Sequence, residues 1–258
     1  MRKDQSWMNA GIALLERIRD TQADAIEQAS RLCAKAIGAG GFVHLFGTGH
    51  SRIPVEEMFP RYGSYPGFHP IVELSMTFHT QVVGANGQRQ AMFIERTPGL
   101  AEVILSNFRF APDDVMVVFS AGGVGAVVVE MARGARKRGL PVIAVTSVAQ
   151  SKAGQVEPAI GARLLDEADV VIDLCTPVGD AMIRLDAQKE TPVGPGSTLA
   201  AVAIVDSIKV RTAELLLENG KLPPVITSAA VVGARRSEEL FDAAYREHAR
   251  RAARSLAT

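Results

Sequence analysis

The chain has 258 residues, of which 47% are hydrophobic, so it is long enough to bury one large α/β core with helices added to it. Its 28 lysines and arginines balance its 28 aspartates and glutamates, and this neutrality excludes a general electrostatic attraction to nucleic acid or anionic membranes. The two cysteines have neither metal-ligand nor Cys-x-x-Cys spacing, and the N-terminus lacks the apolar region of a signal peptide, so we expect a cytoplasmic protein.

Residues 6–38 carry apolar side chains at helical spacing and stop at Gly38, which predicts one or two helices. The apolar stripe of such a segment needs a partner surface, either the core domain or a second subunit. We therefore treat residues 1–40 as a helical segment that precedes the main domain.

After residue 40 the pattern changes to short apolar runs that alternate with helical patterns. The runs that predict strands are residues 42–46, 69–74, 113–120, 140–147 and 168–175. The helical patterns are residues 55–62, 100–108, 126–138 and 199–219. This alternation predicts a parallel sheet that is covered by helices on both faces and joined by right-handed crossovers.

The remaining segments are assigned from composition. Residues 176–198 are rich in Pro, Gly and Thr and are expected to cross the mouth of the sheet as a connection. A charged helical pattern forms a C-terminal tail, residues 229–258, so the main domain is expected to span residues 41–228.

Two glycine-rich turns follow predicted strands. The first reads FGTGHS and is expected to let backbone amides approach an anion, with Ser51 as the cap of the next helix; the second reads FSAGGVG and begins a helix near Ala126. The carboxyl ends of parallel strands share one edge, so both turns are candidate anion sites there. Arg52 replaces the third glycine of a GxGxxG motif, and no P-loop lysine is present. Tight strand-to-helix packing is the structural alternative for either turn.

Several acids accompany these turns. Glu56 and Glu57 follow the first one and are either partners of the helix dipole or a general base. Glu95 and Arg96 either reach the ligand as a lid pair or belong to a surface capping motif. Asp180 and Ser197 come from other strand-end connections and are further candidates for the site. Ser197 is also expected to be a helix N-cap.

The five histidines differ in context. His50 lies inside the first glycine turn and is a candidate acid, base or donor near neutral pH. His79 follows the second predicted strand and is a weaker candidate for the pocket. His44 lies within the first strand and is expected to have a structural role. His69 and His248 are expected to lie at the surface.

Five segments together resemble the sugar isomerase (SIS) domain family: GTGHS…EEMF, VFSAGGVGAVVVEMA, GLPVIAVTSVAQS, ADVVIDLCTPVGDA and VGPGSTLAAVAIVDSI. The resemblance covers about Gly41 to Ser228 and is nearest to a bacterial phosphosugar-binding or phosphoheptose-isomerase-like branch. It implies a three-layer αβα sandwich on a five-stranded, parallel, flavodoxin-like sheet. It also implies a phosphosugar at the strand ends and a homodimer or homotetramer with N-terminal helices in the interface.

The resemblance also assigns binding residues. Ser51 matches the serine of the family's first phosphosugar loop, and Ser120 matches the first serine of the second. The family continues the second loop with two further polar residues, whose positions are occupied here by Gly122 and Gly125. Each lost hydroxyl removes a hydrogen bond worth about 1.5 to 3 kcal/mol to a charged acceptor, although backbone N–H groups can still hold phosphate. The expected substrate contacts are Gly47, Thr48, Gly49, Ser51, Glu95, Arg96, Ser120, Ala121, Gly122, Gly123, Gly125, Asp180 and Ser197.

In the related phosphoheptose isomerases and muramic acid phosphate etherases, a glutamate on the helix after the first loop moves a proton, and the matching position favours Glu57, with Glu56 beside it. The metal-binding histidine of the isomerases corresponds to about Ile53, so no metal and no cofactor is expected.

The sequence therefore indicates a phosphosugar-binding protein that acts as an aldose–ketose isomerase. A phosphosugar lyase or etherase, and a non-catalytic sensor, are the alternatives. No nucleic-acid or membrane partner is expected, and the sugar and the subunit number stay open.

Overall fold

The computed structural model describes residues 6–77 and 88–256. In chain order the helices are α1 (Ser6–Thr21), α2 (Ala23–Gly38), α3 (Ile53–Met58), α4 (Leu74–Thr77), α5 (Arg89–Ile94), α6 (Leu100–Leu105), α7 (Ala126–Lys137), α8 (Val148–Ala153), α9 (Ser197–Glu218), α10 (Ala229–Val232) and α11 (Ala234–Leu256). The strands are β1 (Val43–Gly47), β2 (Phe68–Ile71), β3 (Val115–Phe119), β4 (Val142–Thr146), β5 (Val170–Asp173), β6 (Ala181–Leu185) and β7 (Gln188–Pro195). Two 3-10 helices span Gly49–Arg52 and Leu164–Asp166.

Strands β1 to β5 form one sheet in the order β2-β1-β3-β4-β5, and all neighbouring strands are parallel. Every residue of β1, β3 and β4 is buried. A strand buried on both faces needs no polar alternation, so a continuous apolar run such as VMVVF in β3 predicts it directly. The predicted three-layer αβα sandwich on a five-stranded parallel sheet is confirmed.

The two faces of the sheet carry separate apolar clusters, because side chains alternate along each strand. Leu45 of β1 and Val117 of β3 pack with residues of α1, α2, α3 and α9 on one face. Phe46 and Met116 pack with residues of α6 and α7 on the other face. The N-terminal helices thus bury part of their apolar surface, including Leu14, Ile18 and Cys33, against the core of their own chain.

Residues 176–198 contain an antiparallel hairpin, β6–β7, which the sequence pattern did not predict. The hairpin packs beside α1, where the indole N–H of Trp7 donates to the carbonyl oxygen of Pro195 at 3.3 Å. Its richness in Pro, Gly and Thr is typical of a loop and gave no strand signal.

The surface position expected for His69 and His248 was also wrong. His69 is 8% exposed, and its Nδ1 lies 3.0 Å from Nδ1 of His44 on the neighbouring strand. The other ring nitrogen of His44, Nε2, lies 3.0 Å from a carboxylate oxygen of Asp114. Helix α11 brings the half-buried ring of His248 to 6.4 Å from that of His69. His44 is fully buried and hydrogen-bonded, as a structural histidine should be.

Two further sequence expectations concern the whole chain. None of the helices within residues 6–77 and 88–256 combines the length and the apolar character that crossing a bilayer requires. His79, the weaker candidate for the pocket, lies outside the described residues.

Candidate binding and catalytic site

The strand order places a crevice between β1 and β3. Because β2 lies on one side of β1 and β3 on the other, the connections that leave β1 and β3 turn in opposite directions. In open parallel sheets, ligands bind at the carboxyl ends of the strands where this reversal occurs. Both glycine-rich turns lie at this place, the first directly after β1 and the second directly after β3.

A cavity of about 620 Å³ opens at this edge, and we call it the β1–β3 cavity. Its volume is in the range of small-molecule sites. Residues from the first turn, the second turn, the end of α5 and the segment after β4 line it: Thr48, Glu95, Arg96, Ser120, Gly122, Gly123, Val124, Gly125, Val128, Gln150, Gln155, Val156, Glu157 and Pro158.

The second turn has a fixed backbone shape. Gly123 has φ +60°, and a Cβ at this position would lie 2.8 Å from Oγ1 of Thr146 and 3.0 Å from Oγ of Ser151. The N–H of Gly123 donates to Oγ of Ser120 at 3.0 Å, and its carbonyl accepts the N–H of Leu164 at 2.8 Å. Only glycine fits this position, and the contacts hold the turn against the loops after β4.

The same turn presents backbone donors to the cavity. Among the described residues, no acceptor is found for the N–H groups of Gly122, Val124 and Gly125. These groups precede α7, a helix of 12 residues whose N-terminus carries partial positive charge. Free amides at a helix start form a ready site for a phosphate or a carboxylate. The second turn is therefore an anion-binding site by its geometry.

The first turn differs from its prediction in one respect. The 3-10 helix Gly49–Arg52 separates β1 from α3, and Arg52 occupies the N-cap of α3, so Ser51 does not cap this helix. Gly47 allows the tight return, because a Cβ there would collide with the carbonyl oxygen of Ser51. A local i to i+3 turn of this kind leaves no signature in the sequence that separates it from the first turn of an α-helix.

The two turns meet at a second, much smaller space. This inner cleft has a volume of about 20 Å³ and lies beside the β1–β3 cavity, since Ser120 lines both. Predicted binding residues from both turns and from the start of α9 line it together: His50, Ser51, Ser120, Ala121 and Ser197. The structure thus brings Ser51 and Ser120 to one rim.

Glu95 is the acid that lines the β1–β3 cavity nearest the first turn. Its half-buried carboxylate accepts a hydrogen bond from Oγ1 of Thr48 at 2.8 Å. Its backbone carbonyl accepts the N–H of Val127 in the first turn of α7 at 3.0 Å. These two bonds connect the residue to the first loop and to α7. The exposed Arg96 lines the same cavity.

Glu57 and Glu56 lie elsewhere. The carboxylate of Glu57 is 3.1 Å from Nζ of the buried Lys209 on α9 and 2.8 Å from Arg61. Burial alone would raise the pKa of Glu57, but the hydrogen bonds and charges of these two cations hold this pKa below its ordinary value. Glu56 is exposed and pairs with Arg52. Neither glutamate is among the residues lining the cavity or the cleft, so their catalytic role stays a prediction.

Asp180 and Ser197 contact each other. The Asp180 carboxylate accepts the N–H groups of Gly196 at 3.1 Å and Ser197 at 2.7 Å, and the Ser197 hydroxyl at 2.7 Å. The N-cap of α9 is Gly196, so the prediction that Ser197 fills this position was wrong. The carboxylate of Asp180 satisfies the first amides of the helix in its place.

Sequence reasoning missed the polar residues that follow β4, namely Gln150, Gln155 and Glu157. Their signal was available, since they follow a predicted strand and therefore come from the same edge of the sheet. Within the described ranges, no group of three or more His, Cys, Asp or Glu side chains is arranged to hold a metal ion.

The sequence profile of the SIS domain matches residues 6–147, which is more than half of the chain. The chain belongs to the SIS domain family. This SIS domain protein is 32% identical over 229 residues to a UPF0309 protein of Listeria monocytogenes serotype 4b (strain CLIP80459), covering 89% of this chain and 90% of the relative. It is 34% identical over 245 residues to a UPF0309 protein of Brucella abortus (strain S19), covering 94% and 96%.

Among solved structures, the SIS domain protein is similar to a phosphoheptose isomerase from Francisella tularensis. The TM-score is 0.51 and the identity is 13%, over 82% of this chain and 97% of that one. This similarity shows a common fold.

Proposed function

We propose that this SIS domain protein binds a phosphosugar in the β1–β3 cavity and interconverts its aldose and ketose forms. One observation carries the proposal: a half-buried carboxylate, that of Glu95, lies in the same cavity as the unpaired N–H groups of the second turn. An anion-binding group and a proton-transferring group are the two parts that this reaction requires. The name of the Francisella tularensis structure points to the same class of reaction.

The phosphate end of the ligand is assigned to the second turn. Gly122, Val124 and Gly125 supply N–H donors, and the hydroxyl of Ser120 has its proton available for the ligand while its oxygen accepts the N–H of Gly123. Arg96 adds a positive charge to the cavity. This set offsets the loss of the two hydroxyl groups that the family pattern has at residues 122 and 125.

The proton-transferring base is assigned to Glu95 in preference to Glu57. Aldose–ketose isomerisation moves a proton between adjacent carbons, so the base must lie within reach of the sugar chain. Glu95 lines the cavity, and the hydrogen bond from Thr48 orients its carboxylate. Glu57 is held by two cations outside the lining, where its ion pairs tie α3 to α9.

The test is solvent deuterium exchange. The parent protein, Glu95→Gln and Glu57→Gln are each mixed with C5 to C7 aldose phosphates in deuterated water, and deuterium at C2 is measured by mass spectrometry. The parent and Glu57→Gln are expected to incorporate deuterium, whereas Glu95→Gln loses the exchange by about 100-fold or more. Exchange that survives Glu95→Gln contradicts the assignment of the base. Stabilisation of the parent by a phosphosugar without any exchange contradicts the isomerase and supports a sensor.

A further inference from the structure

Gln150 has an unsatisfied side chain beside the anion-binding turn. It lies in α8, where Ser147 Oγ accepts its backbone N–H at 3.3 Å and Gly154 donates to its carbonyl at 2.9 Å. The side chain is half-buried and lines the β1–β3 cavity. Within the described residues its amide has no hydrogen-bond partner, and its Oε1 is buried. Its Nε2 is not among the buried atoms, so this nitrogen is available to donate to a bound group.

The amide nitrogen of Gln150 is directed toward the second turn. Its Nε2 lies 3.7 Å from the position that a Cβ of Gly122 would occupy, and apart from residues 121–123 no other heavy atom of the described residues comes within 4 Å of that position. Gly122 also has one of the backbone N–H groups for which the described residues supply no acceptor. The amide and the turn therefore face the same small volume, and the missing side chain at residue 122 leaves that volume open.

We propose that Gln150 binds the anionic group of the ligand, with its amide N–H donating to the same phosphate monoester that the second turn holds. This inference rests on the proposed phosphosugar function and adds a binding residue that determines affinity for the phosphate. The donor from Gln150 replaces a hydroxyl that residue 122 does not supply. Because Oε1 is turned into the protein, the amide presents its N–H groups to the cavity, which favours an anion over a cation.

The test is a titration with inorganic phosphate at constant ionic strength, followed by calorimetry. Four proteins are compared: the parent, Gln150→Ala, the double variant Gln150→Ala/Gly122→Ser, and Gln28→Ala. Gln28 is exposed on α2, away from the cavity, and is the matched control. Gln150→Ala is expected to raise the Kd roughly tenfold, which is the loss of one hydrogen bond to a charged acceptor. The serine at 122 has room and is expected to recover part of this loss, while Gln28→Ala changes nothing.

Each outcome decides the matter. If Gln150→Ala binds phosphate as the parent does, the inference is overturned and the phosphosugar proposal stands. If the parent itself does not bind phosphate, both are contradicted. Gln150→Glu is a second variant of nearly unchanged size, measured alongside in case the alanine variant unfolds more easily without ligand. Its negative charge is expected to weaken phosphate binding further than Gln150→Ala does, and an unchanged Kd overturns the inference.

Discussion

At the residue scale, two adjacent glycines of the second turn differ in whether they leave room for a side chain. Gly123 has φ +60° and no room for a Cβ, whereas the nearest atom to a Cβ at Gly122 is 3.7 Å away. We expect Gly123→Ala to distort the turn, to lower the free energy of unfolding by about 1 to 3 kcal/mol and to abolish phosphate binding. Gly122→Ala is the matched control for folding and is expected to change the free energy of unfolding by little. Urea denaturation and phosphate titration measure the two effects, and equal behaviour of the variants contradicts this account of the turn.

The buried histidine pair predicts a dependence of stability on pH. Burial, followed by the electrostatic effects of His44 and His248, lowers the pKa of His69 to about 3, although the charge of Asp114 acts in the opposite direction. The groups around it are His44, Asp114, His248 and Arg251. In the unfolded chain His69 binds a proton below its ordinary pKa of about 6.5, while in the folded protein it does not. Its contribution to stability is therefore constant above pH 6.5 and becomes increasingly unfavourable as the pH falls towards 3.

We expect the free energy of unfolding of the parent to fall between pH 7 and pH 5. The variant His69→Gln lacks this titrating imidazole. It is expected to have a lower free energy of unfolding than the parent at pH 7, but this free energy is expected to change less steeply with pH. This window lies above the range in which Asp114 titrates, because hydrogen bonds from His44 and two backbone N–H groups outweigh its burial and lower the pKa of its carboxyl. Urea denaturation at pH 7, 6 and 5 provides the slopes, and identical slopes contradict the prediction.

At the element scale, the C-terminal helix α11 is fastened to the end of α2 by one buried guanidinium. Arg251 is 6% exposed and donates to the carbonyl oxygens of Ile37 at 3.1 Å and Gly41 at 2.6 Å. Arg251→Ala leaves both carbonyls without this donor, so we expect a loss of roughly 2 to 4 kcal/mol in the free energy of unfolding. The neighbouring Arg250 is exposed and pairs with Glu247 in the same helix, so Arg250→Ala is expected to cost less than about 0.5 kcal/mol. Equal losses by chemical denaturation contradict the role of Arg251.

The elements also show which parts of the structure the sequence could predict. Strands β1, β3 and β4 were predictable because burial on both faces requires continuous apolar runs, and the turns after β1 and β3 followed from the glycines that end those runs. The position of His69 was not predictable, because α11 covers it from about 180 residues further along the chain. The 3-10 helix before α3 depends on local geometry that residue spacing does not specify.

At the scale of the whole molecule, we expect a homo-oligomer. A groove of about 740 Å³ between α1, α2 and α9 combines apolar side chains, among them Leu15, Ile26 and Val210, with charged ones such as Glu27 and Arg211, and Val210 is 61% exposed. Sedimentation velocity is expected to give at least twice the mass of one 27.5 kDa chain. Val210→Glu is expected to shift the protein towards the monomer, whereas Val103→Glu, an equally exposed position on α6, does not. A monomeric parent, or identical behaviour of the two variants, contradicts this expectation.

The central claim is that the turn after β3 holds the anionic group of the ligand. Selective ¹⁵N-glycine labelling and titration with inorganic phosphate, followed by amide NMR spectra, test it most directly. We predict saturable shifts of the amide resonances of Gly122, Gly123 and Gly125, with Gly139 and Gly220 unchanged at the opposite ends of their helices. Unchanged resonances at the first three glycines, in a protein that binds phosphate, would contradict the account.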